Sequence, residues 1–440
     1  YPRYDVLKAL GLAATPVPEG KIRPHIHAAR LTGVAPLHVF FDGIGTDGLK
    51  DGDYLNAYYD WEFDTTGVDP EHPRKTGTGF NVGHVFRKPG TYTVKMTVED
   101  TAGATAEESI QIKVSPFEGK TLYVADSGKD SNAGTLEEPF KTLEKAMEHL
   151  EPKTRILLRR GDRFDSKGLF LMNQTGPVIV GAYTDPKRKS YKKPEINAST
   201  FAVIRGVKDW RIMDLKLIGT VTSRRQKGAG NGISVDYPDR HRDQKFRSRD
   251  LLFYNLDLTH YGNCCFILYH SENLAVVDCR IYDTGAYGTF SSGCRRFSWI
   301  GNSVQKLHDF EHGLRTQSNK KMYVAYSRIE KDVGISKTSL TIRGNTSQIV
   351  LARNRIGGSW GFSIANSGVK AFPHHCLADE NVLTSGGSGD IRNVTIRRNR
   401  MKYVPGQEGD KVGVNTTLAD FGNHMHKAGV SENIRIYQNI

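Results

Sequence analysis

The chain has 440 residues, 61 Lys and Arg against 48 Asp and Glu, a net charge of +13, and a hydrophobic fraction of 38%. That length suggests two or more domains, the composition is that of a soluble globular protein, and no apolar run is long enough for a membrane-spanning helix. The basic excess favours an anionic partner; because no nucleic-acid-binding motif accompanies it, an acidic polysaccharide or an anionic surface is expected rather than nucleic acid.

Residues 1–27 are interrupted by prolines and charges and read as a leader segment. The opening "YPRYDVLKAL" lacks the basic and apolar stretches of a signal peptide, as in a mature secreted chain or a cytosolic one. Residues 28–115 are β-rich. "PLHVFFDG" and "GTYTVKMTVEDTAG" alternate apolar and polar residues, the pattern of half-buried strands, and several such strands in about 90 residues predict a β-sandwich. Residues 116–121 read as a linker.

From residue 122 the pattern changes. A strand and a Gly/Asp-rich turn lead into an amphipathic helix near Thr142–Leu150, with Leu143, Ala146, Met147 and Leu150 on one face. The rest repeats. "WRIMDLKL" (210–217), "LLFYNLDL" (251–258), "LAVVDCRI" (274–281), "FSWIGNSV" (297–304), "MYVAYSRI" (322–329), "IVLARNRI" (349–356) and "VTIRRNRM" (394–401) share apolar first, third and eighth positions. Their starts lie 41, 23, 23, 25, 27 and 45 residues apart. An eighth copy begins 40 residues on and stops at residue 440, which predicts a longer natural chain. Steps of 23–27 residues fit one turn of a stacked solenoid with about three short strands per turn; the longer steps need an extra turn or a loop excursion. Asn302, Asn354 and Asn399 take the sixth position, where asparagine is expected to accept a left-handed bend and to bond to copies above and below. The five cysteines form no C-x-x-C pair and are an odd number, so buried free thiols are expected.

Two resemblances follow. "LTGVAPLHVFFDG", "YYDWEFD", "HVFRKPGTYTVKMTVEDTAG" and "IQIKV" resemble a PKD domain, an immunoglobulin-like module of secreted proteins, although Asp64-Thr65 stands where the family continues with Gly-Asp. The repeats from about residue 122 to 440 resemble right-handed, pectate-lyase-like parallel β-helices, whose open end such a helix caps. Together they imply an all-β fold: a PKD sandwich, then a right-handed parallel β-helix with a short N-terminal capping helix. They also imply secretion or display at the cell surface, but the β-helix fold hosts many chemistries.

Between the repeats lies a second strand per turn, including "GTFSS", "GLRTQ", "LTIRG" and "FSIAN". Alternation points Leu314 and Ile342 inward and Arg315 and Arg343 outward, stacked one turn apart between Ser291 and Ala365. Two stacked guanidiniums repel unless an anion joins them, and arginine clamps carboxylate or sulfate well. The competing reading is a solvated face neutralised by Glu311 or Asp332. β-Elimination on a uronic acid needs a cation on the carboxylate, a base and an acid. Arg315 and Arg343 would neutralise, Lys337 or His312 would act as base, and Glu311 lies close by. The pairing of Arg315 with Lys337 is similar in type to the lysine–arginine pairs of some polysaccharide lyases on this fold. His308, Tyr269, His270, Tyr237 and His241 are the expected sugar contacts.

Alternatives are hydrolysis by paired carboxylates (Asp309 with Glu311, or Asp236 with Asp239), epimerisation, or a non-catalytic adhesive or filament-forming role with self-association. Calcium stays open as a cofactor, with Asp126 and Asp130 as acids in a turn. No zinc site is expected, and His374-His375-Cys376 reads as a loop.

Overall fold

The computed structural model describes residues 21–50, 54–221, 230–237, 247–307, 311–330 and 339–357, and beyond them the segments 362–365, 374–379, 381–383, 386–388, 392–397, 400–401 and 432–437. The N-terminal strands are β1 (His27–Ala28), β2 (Thr32–Val34), β3 (Leu37–Asp42), β4 (Tyr58–Glu62), β5 (Thr76–Thr78), β6 (Asn81–Phe86), β7 (Gly90–Glu99) and β8 (Thr105–Ser115). They form a three-stranded sheet, β1-β3-β6, facing a five-stranded sheet, β2-β8-β7-β4-β5. Phe41, Trp61, Phe63, Phe86 and Tyr92 fill the space between them. The sandwich reaches back before Ala28, because Ile22 and Ile26 pack in its core.

The remaining described strands stack in parallel as three walls of twelve, ten and nine strands. Each turn visits the walls in that order, the arrangement of a parallel β-helix. The capping helix α1 (Leu143–Glu148) starts at Thr142, whose hydroxyl accepts the Lys145 N–H, and buries Leu143 and Ala146 at the end of the solenoid core. The repeat that began at residue 349 is followed by a turn not recognised in the sequence, the strand His374–Asp379. The 45-residue step therefore holds an extra turn. Cys376 and Ala378 occupy its inward positions, and Asn381 the ladder position.

The asparagine ladder works differently from the expectation. The left-handed residue is the one before it: Asp214, Asn255, Asp278, Gly301, Tyr326 and Arg353. Asn302 and Asn354 do not have positive φ. They satisfy backbone groups that the bend leaves unpaired. Asn354 donates to Val324 O (2.8 Å) and accepts from Ser327 N (3.0 Å), while Asn381 donates to Leu351 O (2.9 Å) and accepts from Asn354 N (3.0 Å).

The two units are not joined end to end. The three-stranded sheet of the sandwich lies on the outer face of the twelve-stranded wall. β3 and β6 are consequently buried at every position, and the half-buried reading of "PLHVFFDG" is corrected. Leu37, Val39 and Phe41 enter the sandwich core, while His38, Phe40 and Asp42 face the wall. The wall answers with apolar outward columns. Leu252, Ala275, Ser298, Tyr323, Val350 and Leu377 stand in register in one, and Val277, Ile300, Ala325 and Ala352 in the next. Polar bonds ring the seam: Arg30–Asp209 at 2.9 Å, Arg74–Asp278 at 2.5 Å, Lys321–Asp42 at 2.8 Å and His38–Ser298 at 2.9 Å. Gly83 is required there, since a Cβ would lie 2.1 Å from Ser298 Oγ. With one wall covered, the nine-stranded wall retains an outward face bearing the arginines.

Candidate functional site

In the nine-stranded wall, Leu314 and Thr316 point into the solenoid at 0% and 1% exposure, so Arg315 and Gln317 point out. The same alternation on the next turn buries Leu340 and Ile342 and turns Arg343 outward. The expected stacking is off by two residues. Arg315 pairs in register with Phe290 and Thr341, and Arg343 pairs with Gln317 and Ala365. A shift of two keeps both arginines on one face and makes them diagonal neighbours. Ser291, expected directly below them, pairs with Thr316 and is buried inward. The register was misjudged because the loop before Leu340 is longer than that before Leu314, and sequence spacing alone does not align the strands.

Arg315 is half-buried over aromatic rings, 4.9 Å above Phe290 and 5.9 Å from Tyr287. It donates to Tyr287 Oη at 3.1 Å and to Gln317 Oε1 at 3.2 Å. Arg343 donates to Thr341 Oγ1 at 3.3 Å. Among the described residues, no carboxylate lies within ion-pair distance of either guanidinium. Burial, and then the charge of Arg315, holds the Arg343 pKa below its ordinary value. An anion seated between them would relieve both effects.

Glu311 lies beside the Tyr287 hydroxyl, and its charge also acts favourably on Arg343 without forming an ion pair with it. Burial first, and the neighbouring Glu311 second, raise the Tyr287 pKa, so the phenol stays protonated. His312 is buried, with its ring 6.3 Å from that of Tyr287. Glu311, His312, Tyr287 and Arg315 thus converge at one end of the strand. Tyr269 stacks on Phe290 at 5.7 Å and meets Tyr237 at 5.1 Å, so these two sugar-contact candidates join the site's aromatic floor. His270 sits beside Tyr269 in a left-handed bend against Gly293. Lys337, His308 and His241 lie outside the described residues, as do Asp309, Asp332 and Asp239.

Two alternative acid sites are occupied by structural contacts. Asp236 accepts from Gly206 N, Ser248 N and Ser248 Oγ at 2.8–3.0 Å and fastens a bend. Asp126 is held by Arg159 at 2.6 Å, and Asp130 accepts from Lys141 N, Thr142 N and the Thr142 hydroxyl. Among the described residues, no cluster of three or more metal-ligating side chains occurs. Sequence reading missed Tyr287, Phe290 and Gln317. Their signal was the aromatic pair in "YGTFSS", one turn before Arg315, which only the register brings beneath the guanidinium.

A PKD domain family model matches residues 23–114, and the N-terminal sandwich is a PKD domain. Among solved structures, the chain is similar to the GH136 lacto-N-biosidase from Eubacterium ramulus at 13% identity, covering 73% of this chain and 68% of that one, with a TM-score of 0.45. It is also similar to a rhamnogalacturonan lyase at 14% identity, covering 69% and 86%, with a TM-score of 0.45. Similarity to the pectate lyase Pel9A is 14% over 73% of this chain and 78% of that one, with a TM-score of 0.42. No curated protein matches the chain.

Proposed function

We propose that the protein acts outside the cell on an acidic polysaccharide, which it binds on the outer face of the nine-stranded wall and cleaves by β-elimination. The observation that carries this reading is the pair of half-buried guanidiniums, Arg315 and Arg343, with no carboxylate of a described residue within ion-pair distance and an aromatic floor beside them. Two cations in that setting favour a carboxylate or sulfate. The net charge of +13 adds long-range attraction for a polyanion.

In the proposed reaction the arginines clamp a uronate carboxylate and acidify the adjacent C–H. His312 or Lys337 takes that proton. The electron pair forms the ring double bond while the bond to the leaving glycosidic oxygen breaks. Tyr287, kept protonated by burial and by the neighbouring Glu311, supplies the proton to that oxygen.

The test is incubation with pectic, alginate and glycosaminoglycan polymers, followed by the ultraviolet absorbance of the unsaturated product. Appearance of that absorbance, and its loss in Arg315→Ala, is the expected result. Reducing ends without the absorbance would mean hydrolysis; sugar inversion without cleavage would mean epimerisation. Inertness towards every polymer would favour an adhesive or architectural role.

A further inference from the structure

The outer face of the nine-stranded wall carries a third half-buried guanidinium far from the first two. Arg205 ends the strand Ala202–Arg205, and among the described residues its guanidinium donates to Tyr237 O alone, at 3.5 Å, the limit for such a bond. No carboxylate of a described residue lies within ion-pair distance of it. The registers Ile204↔Val235 and Val235↔Leu268, continued by one residue, place Arg205 level with Asp236, whose carboxylate is taken up by Gly206 N and Ser248, and in the column of Tyr269. That column runs on through Ser292 and Gln317 to Arg343. From 205 through 236, 269, 292 and 317 to 343 is five turns, about 24 Å at about 4.8 Å per turn.

The rings of Tyr237, Tyr269 and Phe290 line the space between. Arg205 touches Tyr237, Tyr237 meets Tyr269 at 5.1 Å, Tyr269 stacks on Phe290 at 5.7 Å, and Phe290 lies 4.9 Å beneath Arg315. Aromatic faces suit the apolar faces of sugar rings, and guanidiniums at both ends, with no carboxylate of a described residue within ion-pair distance, suit acidic substituents. An apolar protein partner would leave the guanidiniums uncompensated, whereas a flexible acidic chain satisfies both ends and the floor.

We infer that one acidic polysaccharide chain lies along this strip parallel to the solenoid axis, with Arg205 as a distal binding residue that reads a second acidic group about five turns from the Arg315/Arg343 pair. Arg205 is a binding residue that sets the preferred length of the substrate; it takes no part in bond cleavage. The inference rests on the proposed function and extends it from one anionic unit to a chain of defined minimum reach.

The test measures affinity of the full chain for trimers and decamers of galacturonate, of alginate uronates and of heparin by titration calorimetry. Arg205→Gln is expected to weaken decamer binding about tenfold, the order of one charged hydrogen-bonded contact, and to leave trimer binding unchanged. Arg315→Gln is expected to weaken both. Arg205→Lys, which keeps the charge, should recover part of the decamer affinity and guards against a folding defect in the glutamine variant. Unchanged decamer binding in Arg205→Gln, beside weakened binding in Arg315→Gln, would overturn the strip and leave the anion site standing. Equal loss for trimer and decamer would also overturn it. An Arg315→Gln variant that binds normally, or a parent protein that binds no fragment, would sink the underlying function and the strip together.

Discussion

Arg315 and Arg343 are linked crosswise. Arg315 donates to Gln317, the register partner of Arg343, and Arg343 donates to Thr341, the register partner of Arg315. Each guanidinium is thus steered by a residue level with the other, which orients two repelling cations towards one location. Removing either should leave a single, less oriented cation. Arg315→Ala and Arg343→Ala are each expected to lower affinity for the bound polymer about 10- to 100-fold, given about 1.5–3 kcal/mol for a hydrogen bond to a charged group. Isothermal titration at two salt concentrations checks this; the parent should show the steeper salt dependence.

The Tyr287 hydroxyl accepts from Arg315 and has Glu311 beside it. Tyr287→Phe keeps the ring over which Arg315 sits but removes the proton. Turnover should fall by roughly 10²- to 10⁴-fold, the range of general acid catalysis, with little change in polymer affinity. Steady-state kinetics separating kcat from KM would detect a binding role instead.

Docking of the PKD domain should respond to packing at Gly83. A side chain there must displace Ser298, so Gly83→Val is expected to destabilise the protein by about 1–3 kcal/mol. Differential scanning calorimetry would register a lowered or split transition. An unchanged single transition would mean that the domains do not share this seam in solution.

Acid should loosen the same seam. Burial first, and the charge of Arg30 second, hold the His38 pKa at about 3 against an ordinary 6.5. Above pH 6.5 the ring is neutral folded and unfolded, and its contribution is complete. As pH falls below 6.5 the unfolded chain takes up a proton that the folded protein refuses, and stability declines down to about pH 3. His84, also lowered by burial, acts in the same direction. Urea unfolding of His38→Gln between pH 7 and pH 4 should show a shallower decline than the parent.

The asparagine ladder is a stability device. Asn354→Ala would leave Val324 O and Ser327 N without their partner and is expected to cost about 2–4 kcal/mol. Chemical denaturation measures it directly.

The repeated apolar first, third and eighth positions were enough to identify the solenoid, because stacking identical turns forces the same side chains into one core. The PKD motifs were equally local. The docking of the two units was present in the text but unread: "LLFY", "LAVV", "MYVA" and "IVLA" are apolar at consecutive positions, the mark of strands covered on both faces. Strand parity decided that Arg315 and Arg343 face outward on one wall, since alternation is a property of the chain itself. Which residues meet across turns depends on hydrogen-bond register, and register depends on how loops of unequal length close. Only the tertiary structure therefore decided that Phe290 lies under Arg315 and that Gln317 stands level with Arg343.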